Sequence, residues 1–176
     1  LHSQIRKIAE QGNGLINLER HQVKLNIFGP GISYELGLFK NVSASTSFGP
    51  AIVTYQEGYT FGFGWHTRLK YYHNFNRRLD RGKNVTGNSG DYLSAARSVF
   101  WGPLQISGNL DAPSDFALAF YGGVYGIQRT FPKGFNFNAE LGAGIIRGDG
   151  VSDGYGALFN FTFGWVPTKR KSREPV

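Results

Sequence analysis

Between Tyr59 and His73 the chain alternates without a break. The odd positions, Tyr59, Phe61, Phe63, Trp65, Thr67, Leu69 and Tyr71, are bulky and mostly apolar. The even positions, Thr60, Gly62, Gly64, His66, Arg68, Lys70 and Tyr72, are mostly small or charged. A period of two held over such a length is a strand pattern, because a helix repeats its apolar positions every three or four residues. Phe135–Ile145 has the same form, with Phe135, Phe137, Ala139, Leu141, Ala143 and Ile145 opposing Asn136, Asn138, Glu140, Gly142 and Gly144. In the last such segment Tyr155, Ala157, Phe159, Phe161, Phe163 and Trp165 oppose Gly156, Asn160, Thr162 and Gly164. Near the start, Val23, Leu25 and Ile27 alternate with Gln22, Lys24 and Asn26. After Gly29-Pro30-Gly31, a turn signal, Ile32, Tyr34, Leu36 and Leu38 alternate with Ser33, Glu35 and Gly37.

Three segments alternate less cleanly. Val42–Tyr55 sets Ser43, Ser45 and Ser47 against Val42, Ala44, Phe48 and Ile52. Tyr92–Ile106 puts Arg97 and Gln105 on one face and Phe100, Leu104 and Ile106 on the other, with Trp101 and Pro103 breaking the pattern. Phe116–Arg129 is apolar on both faces around Gly122-Gly123, where a bulge is expected. The pattern therefore predicts eight strands, at 22–29, 32–39, 42–55, 58–74, 91–108, 115–130, 134–147 and 154–166. The one long connector, 75–90, is polar and carries Arg77, Arg78, Asp80, Arg81, Lys83 and Asn88. Residues 1–21, without an aromatic side chain, read as an N-terminal extension outside a barrel of residues 22–166, and 167–176 as a basic tail.

Alternation alone does not say which face is inside, but volume does. An eight-stranded lumen is narrow and filled by side chains. Stacked aromatics from most strands would overfill it, whereas Gly, Ser and Asn fit. The expected fold is thus an all-β, antiparallel, up-and-down transmembrane β-barrel of eight strands. Its lipid-facing belt would be Phe61, Phe63, Trp65, Phe137, Leu141, Phe159, Phe161, Phe163 and Trp165. Its lumen would hold a network of Lys24, Glu35, His66, Arg68, Lys70, Arg97 and Glu140, because buried charges persist only when paired.

Composition changes this picture little. Fifteen Phe, nine Tyr and 25 Gly, with only 18% charged residues, is a β composition. The mean hydropathy of −0.29 is that of a soluble protein. A membrane barrel with a polar interior has the same unremarkable average. No run approaches the roughly 18 apolar residues of a membrane helix. The absence of Cys removes disulfides and thiolate metal sites. The chain has no Met and begins at Leu1, as expected of a chain whose signal peptide has been removed, or of a fragment.

The charge of +7 is polarised. An even strand number puts both termini and the second, fourth and sixth turns at one rim. That rim collects Arg77, Arg78, Arg81, Lys83, Lys169, Arg170 and Lys171, while Glu57, Asp111, Asp149 and Asp153 fall at the other. The basic rim is expected to face the periplasm and to meet other envelope proteins. Nucleic acid is not an expected partner, since no aromatic platform accompanies the basic tail. No metal or cofactor is expected: His66 and His73 point to opposite faces of one strand.

The segments Lys24-Leu25-Asn26, Ile32-Ser33-Tyr34-Glu35, Tyr71-Tyr72-His73-Asn74 with Arg77-Arg78 and Gly82-Lys83-Asn84, Asn88-Ser89-Gly90-Asp91-Tyr92 and Gly126-Ile127-Gln128-Arg129 carry a resemblance. With them, Gln22–Trp165 resembles the small outer-membrane β-barrel proteins of Bacteroidetes-type bacteria. The resemblance implies an eight-stranded barrel in the outer membrane, in contact with its lipid and lipopolysaccharide, with a periplasmic 75–90 loop and no agreed activity. The chain departs from the common barrel ending, because about ten residues follow Trp165. The leading expectation is a non-enzymatic structural or accessory subunit of an envelope complex in a Gram-negative cell. The alternatives are a soluble lipocalin-like barrel holding a small apolar ligand among the same aromatics, and a lipid-modifying enzyme built on His73, Ser89 and Asp91.

Overall fold

A computed structural model describes residues 18–55, 58–101, 117–149 and 153–168. Eight antiparallel strands run β1 (His21–Phe28), β2 (Gly31–Phe39), β3 (Val42–Tyr55), β4 (Gly58–Tyr72), β5 (Gly90–Trp101), β6 (Ala117–Thr130), β7 (Phe135–Asp149) and β8 (Gly154–Trp165). Each pairs with its neighbour in sequence, and β1 closes the barrel on β8. One short helix, α1 (Phe75–Asp80), lies between β4 and β5.

The strands tilt steeply. A hydrogen-bonded row starting at His21 passes through Leu36, Ala44, Leu69, Ala95, Gly123 and Ala143 to Ala157 on β8. β8 itself meets β1 further along, at Trp165 opposite Leu25. The row has climbed the wall in one circuit, which is the stagger that closure demands.

The wall is uneven in height. β1 and β2 have 8 and 9 residues, while β3 and β4 have 14 and 15. The β1–β2 hairpin turns at Gly29, whose φ of 60° suits glycine. A Cβ there would also stand 2.5 Å from the Phe161 carbonyl oxygen. β2 last pairs with β3 at Ile32–Phe48, and β1 with β8 at Phe28–Phe163. Beyond the hairpin tip the wall consists of β3 to β8. Pro50 stands on β3 just past that point, and proline, lacking an N–H, belongs on an edge.

Three expectations are corrected. β6 pairs with β5 and β7 without a register shift, so there is no bulge at Gly122-Gly123. Its inward face is apolar because Leu118, Phe120 and Val124 fill space that glycines leave, and the Phe120 ring lies 2.7 Å from where a Gly122 Cβ would be. The faces of β5 are the reverse of those expected. Ser94, Ala96, Ser98 and Phe100 point inward, and Arg97 lies outside. Phe100 fits inside because Gly62 and Gly64 stand beside it on β4. Finally, Leu18 and Glu19 do not stand outside the barrel but are buried in its end. Residues 1–17, the proposed strand ends at 102–108 and 115–116, and 169–176 lie outside the described residues.

The interior has three layers. Leu18, Tyr72, Phe75, Val85 and Tyr92 seal the end near the chain termini. A polar layer follows. Beyond it lie Ala96, Phe120 and Val124, and then Phe100 and Leu118, against which Ala51, Val53, Ile146 and Leu158 pack.

Candidate functional site

The polar layer is built by strand parity. Gln22, Glu35, Ser45 and Arg68 follow one another in register along one inward row, and Lys70 stands beside Ser43 in the next inward row. Glu35 is fully buried. Its Oε2 accepts hydrogen bonds from Lys24 Nζ at 2.9 Å, Gln128 Nε2 at 3.3 Å and Lys70 Nζ at 3.5 Å. Its Oε1 accepts from Tyr72 OH at 2.6 Å, Ser43 Oγ at 2.8 Å and Asn88 Nδ2 at 2.9 Å. Six donors from β1, β3, β4, β6 and the 73–89 segment converge on one carboxylate and saturate its lone pairs. Glu140 on β7 accepts from Tyr92 OH at 2.7 Å, Asn160 Nδ2 at 3.0 Å and Arg68 Nη2 at 3.3 Å. Lys70 Nζ also sits 4.6 Å from the centre of the Tyr92 ring, which joins the two halves.

Of the seven residues read as luminal, the structure brings Lys24, Glu35, Arg68, Lys70 and Glu140 into this network. His66 lies beside it, with Nδ1 2.9 Å from Ser98 Oγ. Arg97 does not join. It is exposed, with its guanidinium 5.9 Å from the centre of the Tyr121 ring. The residues that sequence reasoning missed are Tyr72, Tyr92, Asn88 and Gln128. Parity placed Tyr72 on the inward face, but its hydroxyl role was hidden behind its aromatic ring. Asn88 was read as part of a polar loop.

That segment is a plug. Phe75 on α1, Val85, Asn88 and Ser89 are buried in the barrel end. Asn88 takes a φ of 57°, a conformation asparagine tolerates. This turns its amide so that Oδ1 accepts from Glu19 N at 2.7 Å while Nδ2 donates to Glu35. Gln128 Nε2 donates to the Asn88 carbonyl at 3.2 Å, and Thr130 N to Ser89 Oγ at 2.8 Å. At its buried end, Asn88 and Ser89, the plug is polar because it hydrogen-bonds a polar lumen.

The basic rim is only partly described. Arg77, Arg81 and Lys83 are exposed on and after α1. Arg78 is half-buried and donates twice to the Asn84 carbonyl, from Nη2 at 2.7 Å and Nε at 3.2 Å. Lys169, Arg170 and Lys171 lie outside the described residues. Of the three residues read as a possible enzyme set, His73 has its ring centre 6.0 Å from that of Tyr125, Ser89 Oγ donates to the Thr86 carbonyl and Asp91 pairs with Arg129. No group of three or more metal-binding side chains occurs among the described residues.

The outer wall is the second feature. Phe61, Phe63, Trp65, Phe137, Leu141, Phe159, Phe161, Phe163 and Trp165 all point away from the lumen, with Leu141 65% and Phe159 75% exposed. The same aromatics are therefore not available to line an internal apolar pocket. Each strand adds to this surface, through Ile27, Ile32, Ile52, Leu69, Leu93 and Tyr125 among others. A shallow apolar depression of about 840 Å³ crosses β4 to β7, floored by Ala95, Gly123 and Ala143. Inside, among the described residues, Lys24, Glu35, Arg68, Lys70 and Glu140 line a polar cavity of about 30 Å³.

Comparison with family models, with curated proteins and with solved structures gave no match to this chain. What the chain does has to be argued from the geometry itself.

Proposed function

We propose that the chain is an integral outer-membrane β-barrel that acts as a structural or accessory subunit rather than as an enzyme or an open pore. The observation that carries this reading is the inverted distribution of polarity. Large apolar side chains are exposed on all eight strands, while Glu35, Lys24, Arg68, Lys70 and Glu140 are buried. Soluble monomers rarely expose contiguous apolar patches beyond a few hundred Å². A wall surrounded by hydrocarbon reverses that constraint, and a closed barrel satisfies its backbone hydrogen bonds internally. No helix among the described residues is long and apolar enough to cross a membrane, so strands would do the crossing. Most of the strands exceed the roughly 9–11 residues that a tilted span needs.

Aromatic residues also lie towards both ends of the outer wall. Tyr71, Phe131, Phe135 and Trp165 stand near the termini, and Tyr59, Trp101 and Tyr155 near the opposite rim. Interfacial girdles have this composition. The plug and the ion network close the lumen, which supports a scaffold rather than a channel. On this reading the termini and plug face the periplasm, with Arg77, Arg81 and Lys83 offered to other envelope proteins.

Fractionation tests the reading. The chain is expected to stay with bacterial membranes through a urea wash and, unheated, to migrate on a denaturing gel apart from its boiled form. A chain that is released by urea as a detergent-independent monomer would refute it.

A further inference from the structure

The polar layer is not charge-balanced around its cavity. Three cations, Lys24, Arg68 and Lys70, face two carboxylates, Glu35 and Glu140, across a space of about 30 Å³. The other buried carboxylate, Glu19, is turned to the plug, where its Oε1 accepts from Gly87 N at 3.2 Å. Leaving a cation unmatched at depth costs several kcal/mol. A second, independent sign is Arg68 itself: its side chain is 3% exposed, yet its Nε donor is buried without an acceptor. A buried guanidinium N–H left unpaired asks for an oxygen.

Among the described residues, the cavity opens towards one end of the barrel. Towards the termini its lining carboxylates, Glu35 and Glu140, are backed by Tyr72 and Tyr92, both fully buried beneath the plug. Towards the β1–β2 hairpin, the lining residues Ser33, Ser47, His66 and Asn160 are half-exposed. The hairpin is short, so the wall above it is low and leaves an entrance between β3 and β8. Pro50 on that edge of β3 disfavours closure by an added strand.

We propose that this cavity is the floor of a dead-end well that binds a carboxylate. The space admits about two waters, which matches the two oxygens of that group. Arg68 Nε would donate to one oxygen, and the hydroxyls of Ser45 and Ser47 and the His66 ring line the rest of the site. The carboxylate satisfies the orphan donor and cancels the surplus charge at once. It belongs either to a small free acid or to the head of an alkyl acid whose chain rests on the inner apolar wall above, at Leu158 and Ile146. The inference does not depend on whether the outer wall meets lipid.

Titration of the full chain, folded in a neutral detergent, with carboxyl-¹³C acetate and carboxyl-¹³C decanoate tests this. A saturable shift with acetate assigns the well to small acids. A saturable shift with decanoate alone assigns it to alkyl acids. In either case Ser47→Asp, which supplies a tethered carboxylate to the same space, is expected to weaken binding at least about tenfold, the worth of one charge-assisted hydrogen bond. It is also expected to raise the unfolding temperature by neutralising the surplus cation. Ser47→Asp keeps the Arg68–Glu140 pair, so the test does not depend on a variant that fails to fold. No saturable binding of either acid, binding unchanged in Ser47→Asp, or a lower unfolding temperature in that variant would overturn the proposal.

Discussion

Replacing Glu35 by alanine is expected to destabilise the barrel by roughly 3–5 kcal/mol, the range seen when one partner of a buried ion pair is removed. The carboxylate receives Lys24, Lys70, Tyr72, Ser43, Asn88 and Gln128. Its loss takes the acceptor from Tyr72, Ser43 and Asn88 and leaves Lys24 and Lys70 with only the Gln128 amide oxygen. Lys24 and Lys70 would then face one another with no counter-charge between them. Asn88 would lose its lumenal acceptor, so the plug should loosen along with the wall. Equilibrium unfolding in detergent or bilayer measures the effect, and proteolysis within 74–89 in the still-folded variant reads the plug separately. Arg81, exposed on the rim, is the control: its change to alanine is expected to stay within about 0.5 kcal/mol. A loss below about 1 kcal/mol for Glu35→Ala would mean that the network is not what holds the lumen together.

The second large effect concerns the outside. Leu141 is 65% exposed on β7, between Tyr125 of β6 and Phe159 of β8. If this surface lies in hydrocarbon, Leu141→Arg costs about 2–4 kcal/mol, as arginine does near the middle of a barrel's lipid face. If it lies in water, the same change stays within about 0.5 kcal/mol. Tyr155, 95% exposed at the far end, gives an internal comparison. Tyr155→Arg should cost no more than about 1 kcal/mol, the interfacial value. The depth dependence matters more than either number, because a soluble barrel has no reason to rank the two positions in this way.

Alternation made the fold legible in advance. In β4 and β8 nearly every second residue is aromatic or aliphatic, Thr67 excepted, and the rest are small or polar apart from Tyr72 and Leu158, so both existence and facing follow from the pattern. β5 defeated it because Phe100 and Trp101 are adjacent and equally large. Only the register against Gly62 and Gly64 of the neighbouring strand decides which ring turns in. β6 looked bulged because a barrel interior that is partly apolar erases the contrast between its faces. The charged members of the lumen were recoverable because strand parity fixes them. The tyrosines were not, since a buried hydroxyl donor looks like core in sequence. The plug was hidden for the opposite reason: a polar segment that binds a polar lumen has the composition of a surface loop.

The arrangement as a whole rests on the outer wall being the lipid side, and tryptophan fluorescence addresses that directly. The chain has three Trp. Trp65 and Trp165 are 45% and 44% exposed on the outer wall, and Trp101 stacks on Trp65 with ring centres 6.3 Å apart. No Trp reports from the lumen. In vesicles whose acyl chains carry bromine, the emission should be strongly quenched, while iodide in the water should have little effect. Emission that iodide quenches and brominated chains leave unchanged would contradict the membrane barrel.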